Sequence, residues 1–225
     1  MYPRERIMQD LKARADQYPV VVPWRGSFWR VTLSGYRYTG EVLIKASAKY
    51  SKSAEGKENK TVGRFLRHYK RDSALDLEDI DLQELMEHYM DLFDHIFFFG
   101  ILTRVGPRGQ IVMLKVLHKS HPKHVGQFYQ NSGGGVIELN TMQRKAISKK
   151  RYSEKMHTFD ELLSTLVHEL LHAYLEIFSH PNCVPESHGW EFVKHLKTMM
   201  KRMSSWIPDS DEFRQEAIKP HVSSD

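Results

Sequence analysis

The sequence predicts an α+β fold, in which several helices pack on a small antiparallel sheet. Apolar residues recur every three or four positions over 82–97, 159–178 and 189–203, as they do on the buried face of a helix. Over 110–117 and 134–140 they instead form short apolar runs typical of strands. With 225 residues, of which 40% are hydrophobic, the chain is long enough to bury a sizeable core.

The first 76 residues are predicted to form an N-terminal extension that is basic and partly flexible. A short charged helix is expected over 4–18. Residues 28–33 and 36–44 alternate apolar and polar side chains on either side of a two-residue turn, which predicts a β-hairpin. Residues 46–63 are rich in Lys, Ser and Gly, which is typical of a flexible loop, and a domain boundary is predicted there.

Residues 77–206 are predicted to form the folded domain and residues 207–225 a mobile tail. The helix over 82–97 is expected to end before Gly100, because glycine commonly follows a helix C-terminus. The loop between the two predicted strands holds three histidines that could bind a metal, but they are interpreted as solvated side chains: His118, His121 and His124.

Composition limits the class of protein. No stretch of about 18 apolar residues occurs, so no membrane-spanning helix is expected, and the N-terminus lacks the apolar core of a secretory signal. The single Cys183 excludes an internal disulfide, a zinc site of four cysteines, and one of two cysteines and two histidines. We therefore expect an intracellular protein, nuclear or cytoplasmic, with no membrane partner.

Residues 168–172 read His-Glu-Leu-Leu-His, a pattern typical of catalytic zinc sites. Thr158 and Glu161 form a capping box that starts the helix about ten residues earlier. At about 100° per residue, His168 and His172 lie about 40° apart and can reach one ion. The alternative is that this polar stripe is only the solvated face of an amphipathic helix.

A zinc site needs a third protein ligand and an open fourth position. His188 fits best, because it lies at the start of the next helix beside a glycine. Glu169 is expected to act as the base that takes a proton from a zinc-activated water, and Glu176 to orient a ligand. The other candidates for the third ligand are His180, Glu186, Glu191 and His195.

The segments HELLHAYL (168–175) and HGWEF (188–192) resemble the SprT-like (Spartan-type) metalloproteases. The segments YMDLFDHIFFFGIL (89–102) and GVIELN (135–140) are similar to the helix and strand that precede the active-site helix in that family. The resemblance covers about 82–203. It implies a zincin-like metalloprotease core that binds Zn²⁺ through His168, His172 and His188, with Glu169 as catalytic base. Many family members add a Cys-rich zinc ribbon, which one cysteine cannot build.

Basic residues concentrate in two segments. Residues 37–71 contain ten lysines and arginines and three glutamates, and residues 144–155 contain six and one. Such segments can bind a phosphate backbone, or they can be solvated loops. The candidate nucleic-acid contacts are Lys45, Lys49, Lys52, Lys57, Lys60, Arg64, Arg67, Lys149, Lys150 and Arg151.

These observations leave three hypotheses about function. The first is a zinc endopeptidase that cleaves protein substrates, among them proteins bound or crosslinked to DNA. The second is a nucleic-acid-binding module whose metal site is only structural. The third is a peptidase with no nucleic-acid role, whose basic loops keep it in solution. The glutamate between the two histidines favours the enzymatic hypotheses, because a structural site does not need a base.

Overall fold

A computed structural model describes residues 4–16, 20–24, 27–31, 38–53, 60–106, 109–121, 124–131, 134–148, 151–179 and 188–218. Within these ranges the helices are α1 (Arg4–Ala15), α2 (Gly40–Ser53), α3 (Lys60–Asp72), α4 (Leu82–Phe97), α5 (Phe159–Phe178), α6 (Trp190–Trp206) and α7 (Asp211–Ile218). The strands are β1 (Val20–Trp24), β2 (Ser27–Val31), β3 (Val105–Gly106), β4 (Gly109–Gln110), β5 (Val112–Ser120), β6 (Gly126–Asn131), β7 (Gly134–Ser148) and β8 (Arg151–Met156). The protein therefore has a mixed α+β fold.

The main sheet has four strands, and the long strand β7 pairs with each of the other three. Strand β5 runs parallel to β7, with Val112 opposite Gly135, whereas β6 and β8 are antiparallel to it. The prediction of an antiparallel sheet is therefore wrong, because the sheet is mixed. The reason is the order β5-β7-β6: the chain crosses from β5 to the far side of β7 and turns back there, so β7 runs in the direction of β5.

Helix α5 lies at the centre of the core, in contact with the sheet, α2, α4, α6 and α7. Its apolar side chains, from Phe159 to Phe178, are buried almost all around the helix. Tyr174 is fully buried and donates a hydrogen bond to the backbone oxygen of Leu43 in α2, 3.1 Å away. Predictions of α4, α5 and α6 from their apolar periodicity are confirmed, and α5 begins and ends at the predicted residues.

The segment after the first hairpin differs from the prediction. Helix α2 covers Gly40–Ser53, so the predicted strand over 36–44 is wrong for residues 40–44 and the predicted loop is wrong for residues 46–53. Leu43 and Ala46 are buried, because α5 and α6 pack against α2. This tertiary packing favours a helix that the local sequence does not indicate. Residues 60–63, assigned to the same loop, begin helix α3.

The other N-terminal elements join the same core. Helix α1 confirms the predicted helix over residues 4–15. Strand β2 pairs with the preceding β1, so the hairpin partner lies before residues 27–31 and not after them as predicted. Phe65 of α3 is fully buried, and its ring contacts those of Tyr89, Phe93 and Trp206. The candidate boundary at 46–63 thus separates two helices that both pack on the core.

At the other end, residues 211–218 form helix α7, and the prediction of a mobile tail is wrong for this segment. Phe213 is fully buried, and Ser210 donates a 2.6 Å hydrogen bond to Asp160 at the start of α5. Residues 219–225 lie outside the described residues. None of the described helices combines the length and the apolar composition that a membrane span requires.

Candidate metal centre

The helix that carries the histidine pair begins as the sequence predicts. Thr158 Oγ1 accepts a hydrogen bond from the backbone N–H of Glu161 at 3.2 Å, and Glu161 Oε2 accepts one from the backbone N–H of Thr158 at 2.7 Å. This reciprocal capping box satisfies two backbone donors that would otherwise be unpaired at a helix start. It places His168 in the third turn of α5.

Three histidine nitrogens converge at one point on the surface of α5. His168 Nε2 lies 3.1 Å from His172 Nε2 and 2.9 Å from His188 Nε2, and the latter two atoms are 3.2 Å apart. Four-coordinate zinc binds imidazole nitrogen at about 2.0–2.1 Å, which separates two such nitrogens by about 3.3 Å. The spacing and the donor set of this group therefore fit a Zn²⁺ ion.

The backbone at His188 brings this residue to the centre. Its φ is +63°, a left-handed conformation that is rare for a residue with a side chain. Gly189 follows as the N-cap residue of α6, so the chain turns directly from the metal centre into that helix. Strain of this kind typically occurs at functional sites, where the surrounding structure maintains it.

Phe192, one turn into α6, supports all three imidazoles. The phenyl ring is buried and stacks on His172, with centroids 4.4 Å apart and planes inclined by 29°. The phenyl ring also makes edge-to-face contacts with the rings of His168 and His188, with ring centroids 5.2 Å and 5.4 Å apart, respectively. The aromatic residue that closes the 188–192 motif therefore packs against the three imidazole rings and restricts their orientation.

Burial keeps His172 neutral. Its side chain is 12% exposed, and desolvation, assisted by the neighbouring His188, lowers the pKa of His172 to about 4. A neutral imidazole presents the lone pair that a metal requires. Glu176, predicted to orient a ligand, has its Oε1 atom 3.9 Å from His172 Nδ1, which is too long for a hydrogen bond.

Glu169 lies next to the triad formed by His168, His172 and His188, but its side chain points towards the sheet. Only 6% of the residue is exposed, and the backbone N–H of Phe128 in β6 donates a hydrogen bond to its carboxylate. Burial raises the pKa of Glu169 to about 7, against the opposing effect of this hydrogen bond. A carboxyl group with such a pKa can both accept and return a proton near neutral pH.

The triad opens into a cleft of about 750 Å³ that follows α5 from Glu161 to Glu176. Residues of β6, α6 and α7 line the cleft together with those of α5, and Leu196 and Met200 of α6 are its apolar contributions from that helix. Of the described lining residues, the charged ones other than histidine are all glutamates: Glu161, Glu169, Glu176, Glu212 and Glu216. The cleft is therefore acidic.

Of the other candidate third ligands, the two that the structure describes, His195 and Glu191, are not part of this centre. His195 is buried, and its Nε2 atom lies 3.0 Å from Ser47 Oγ in α2. Glu191 is exposed in the first turn of α6, and His180 and Glu186 lie outside the described residues. The three histidines of residues 118–124 do not converge either: His118 Nδ1 lies 3.3 Å from Thr141 Oγ1, while the rings of His121 and His124 stack on each other.

The candidate nucleic-acid contacts occupy separate helices. Lys45, Lys49 and Lys52 are exposed on α2, where Lys45 forms an ion pair with Glu41. Lys60, Arg64 and Arg67 are exposed on α3. Arg151 lies in β8, but its side chain is not described, and Lys57, Lys149 and Lys150 lie outside the described residues.

Some residues of the site carry no signal in the sequence. Gly126 and Phe128 belong to β6, a strand in a segment that is predicted from the sequence to be a loop, and α7 falls in the predicted tail. A run of GQFYQN has too few apolar residues to indicate a strand. Its role becomes visible only when β7 aligns it beside α5.

Comparisons with protein-family models, curated proteins and solved structures found no match to this chain.

Proposed function

We propose that the protein is a zinc-dependent endopeptidase of the SprT-like type, with a zincin-like core. The observation that carries this proposal is the convergence of three histidine Nε2 atoms within 3.2 Å of one another, beside a buried glutamate on the same helix. A helix that presents two histidines one turn apart, with the glutamate between them, is the arrangement used by zinc peptidases. The resemblance of 168–175 and 188–192 to the SprT-like family supports the same assignment.

His168, His172 and His188 would hold the zinc ion, and the open cleft would leave its fourth position accessible. Zinc bound in this way would supply a polarised water with a pKa of about 7 and a positive charge for a developing oxyanion. Three neutral ligands leave the charge of the ion uncompensated, which strengthens both effects. A structural site would be closed by a fourth protein ligand, which the described residues around the triad do not provide.

Glu169 would act as the general base. Its helix position, one residue after His168, keeps the carboxylate beside the triad and not among the ligand atoms. From there it can take a proton from a water in the cleft and pass it to the leaving amine of the cleaved peptide bond. Burial favours this double role, because it raises the pKa of Glu169 to about 7, which is close to neutral pH.

An extended polypeptide is the substrate that the cleft fits best. The backbone N–H of Asn140 donates to Val125 O at 2.7 Å, and Gly126 lies opposite Leu139. In an antiparallel ladder this register turns the backbone polar groups of Gly126 and Phe128 away from β7. The Phe128 N–H donates to Glu169, so the Gly126 N–H and C=O and the Phe128 C=O are the groups left for a peptide in the cleft. A peptide could add to this edge as a further strand. The acidic lining favours segments that carry lysine or arginine.

Replacing Glu169 with Gln tests the proposal. The amide is nearly isosteric but cannot accept a proton, so Glu169→Gln should bind one zinc per chain as the wild type does and lose peptide cleavage by about 10²-fold or more. Cleavage of an unfolded protein, followed by mass spectrometry, measures the rate. Gly63→Ala, a substitution in the remote helix α3, is the matched control. Wild-type rates in Glu169→Gln would reject the mechanism.

We further propose that nucleic acid binds to a basic face formed by α2 and α6, which we define by Lys45, Lys49, Lys52, Lys194 and Lys201. The two helices run side by side, since Ser47 contacts His195 and Ser51 contacts Arg202. The five lysines are exposed, and Lys194 and Lys201 share the solvent face of α6 with Trp190, which is 66% exposed. Lysines around an exposed indole ring are suited to a single strand, whose bases stack on aromatic rings.

A further inference from the structure

Strand β6 approaches α5 more closely at Gly126 than any larger residue would allow. A Cβ atom on Gly126 would lie 2.5 Å from Thr165 Cγ2 and 2.9 Å from Glu169 Cγ. Carbon atoms in favourable contact are about 3.5–4.0 Å apart. No positive φ occurs at Gly126, so its value lies in the close approach and not in a special backbone conformation.

Two residues further along β6, the chain reaches the proposed base. The backbone N–H of Phe128 points away from β7 and donates to the Glu169 carboxylate. The Phe128 ring is itself held in place, because it lies directly on Gly135 of β7, where a Cβ would be 2.5 Å from its Cε2 atom. The position of this donor is therefore set by two close contacts, one to each neighbouring element.

We infer that Gly126 and the Phe128 backbone N–H position the Glu169 carboxylate for proton transfer, an inference that rests on the proposed peptidase function. A carboxylate has two oxygens, so one can accept the Phe128 N–H while the other faces a water in the cleft. Gly126 acts through the spacing between β6 and α5. A side chain there would displace the strand and lengthen the hydrogen bond from Phe128, without touching the three histidines.

The first test is a pair of substitutions at the contact itself. Gly126→Ala should lower kcat by about 10–100-fold, a larger factor than the one by which it raises KM, with the zinc content unchanged, because misplacing a catalytic group slows the chemical step. Adding Thr165→Ser removes the Cγ2 atom that the new methyl group meets and keeps the hydroxyl that donates to Glu161 O. The double variant should therefore recover part of the lost kcat relative to Gly126→Ala. Gly63→Ala is the control for a glycine replaced elsewhere.

A second pair isolates the donor, even if Gly126→Ala does not fold. Phe128→Ala and Phe128→Pro both remove the ring, but only proline also removes the N–H, and an outward-facing edge position tolerates proline. We expect kcat of Phe128→Pro to be at least about tenfold below that of Phe128→Ala. Equal kcat values in these two variants, or a kcat within about twofold of wild type in Gly126→Ala, would overturn the inference.

Amide hydrogen exchange decides the contact independently of activity. The Phe128 amide should exchange slowly in the wild type and faster in Glu169→Ala, whereas Gly126→Ala should show an intermediate rate. An unchanged Phe128 rate in Glu169→Ala would overturn the inference. If the wild type does not cleave peptides, the proposed function fails, and the exchange rates still decide whether β6 holds Glu169.

Discussion

The histidines of this chain show how environment decides the role of one residue type. His172 is largely buried and neutral in the group of three converging histidines, whereas His188 reaches the same group from a strained backbone position. His195 is also buried, but it contacts Ser47 and joins α2 to α6. Desolvation, assisted by the charge of Arg202, lowers the pKa of His195 to about 3.

His195 should therefore make the fold sensitive to acid. Its pKa in the folded state lies below the unfolded value of about 6.5, so its contribution is complete above that value and is lost as pH falls towards the folded pKa. Between pH 7 and pH 4.5 the wild type should lose about 2–3 kcal/mol of unfolding free energy that His195→Leu does not lose. Urea unfolding at both pH values, with a chelator present, measures the difference.

Other titrating groups, including His172, are common to both proteins and cancel in this comparison. A lower absolute stability of His195→Leu at both pH values is also expected, because the variant loses the contact with Ser47. The same pH dependence in the two proteins would contradict the assignment of this acid sensitivity to His195.

Residues of the site differ in how far sequence alone could predict them. His168, Glu169 and His172 lie within five positions of one helix, so helical geometry and a capping box were sufficient to group them. The prediction of His188 depended on its position at the start of the next helix and on the resemblance to a known family. Gly126 could not be predicted, because its importance depends on contacts with Thr165 and Glu169, some 40 residues further along the chain.

At the scale of elements, periodicity predicted the helices that bury one continuous apolar face, such as α4 and α5. It failed for α2, whose sequence GEVLIKASAKYSKS mixes small polar and apolar residues. Ser47 and Ser51 are buried there because they bond to α6 residues and to the helix backbone, a pairing that no local pattern indicates. The parallel pairing of β5 with β7 is likewise a long-range choice that the strand sequences do not encode.

The packing of α2 on α6 makes the basic face a testable feature. Neutralising Lys49 and Lys52 to Gln should weaken single-stranded DNA binding and reduce the slope of log affinity against log salt by about 1–2, because each phosphate contact contributes about 0.7. Lys45 is left unchanged, since Glu41 already pairs with it. Fluorescence anisotropy over a series of salt concentrations measures both quantities.

Lys115→Gln with Lys119→Gln is the matched control for this experiment. Both lysines are exposed on β5, and their loss lowers the net charge by the same amount. If the control pair weakens DNA binding as much as the α2 pair does, the effect is one of net charge, and the basic face would not be the binding surface.

At the scale of the whole molecule, charge is divided between two surfaces. The chain has a formal net charge of +5, yet the cleft beside the triad is lined by glutamates. An acidic cleft repels a phosphate backbone and attracts basic polypeptide, while the basic face on α2 and α6 does the reverse. This division would let one molecule hold a nucleic acid on its surface and a protein in its cleft.

The proposed function rests on one claim, that the histidine triad binds one zinc ion that enables cleavage of polypeptides. The most direct measurement is the cleavage of unfolded casein by the wild type after chelation and after reloading with zinc, with the metal content determined on the same samples. We predict no cleavage without metal, and restored cleavage at one zinc per chain. A protein that holds one zinc per chain and leaves casein intact, with or without DNA, would contradict the claim.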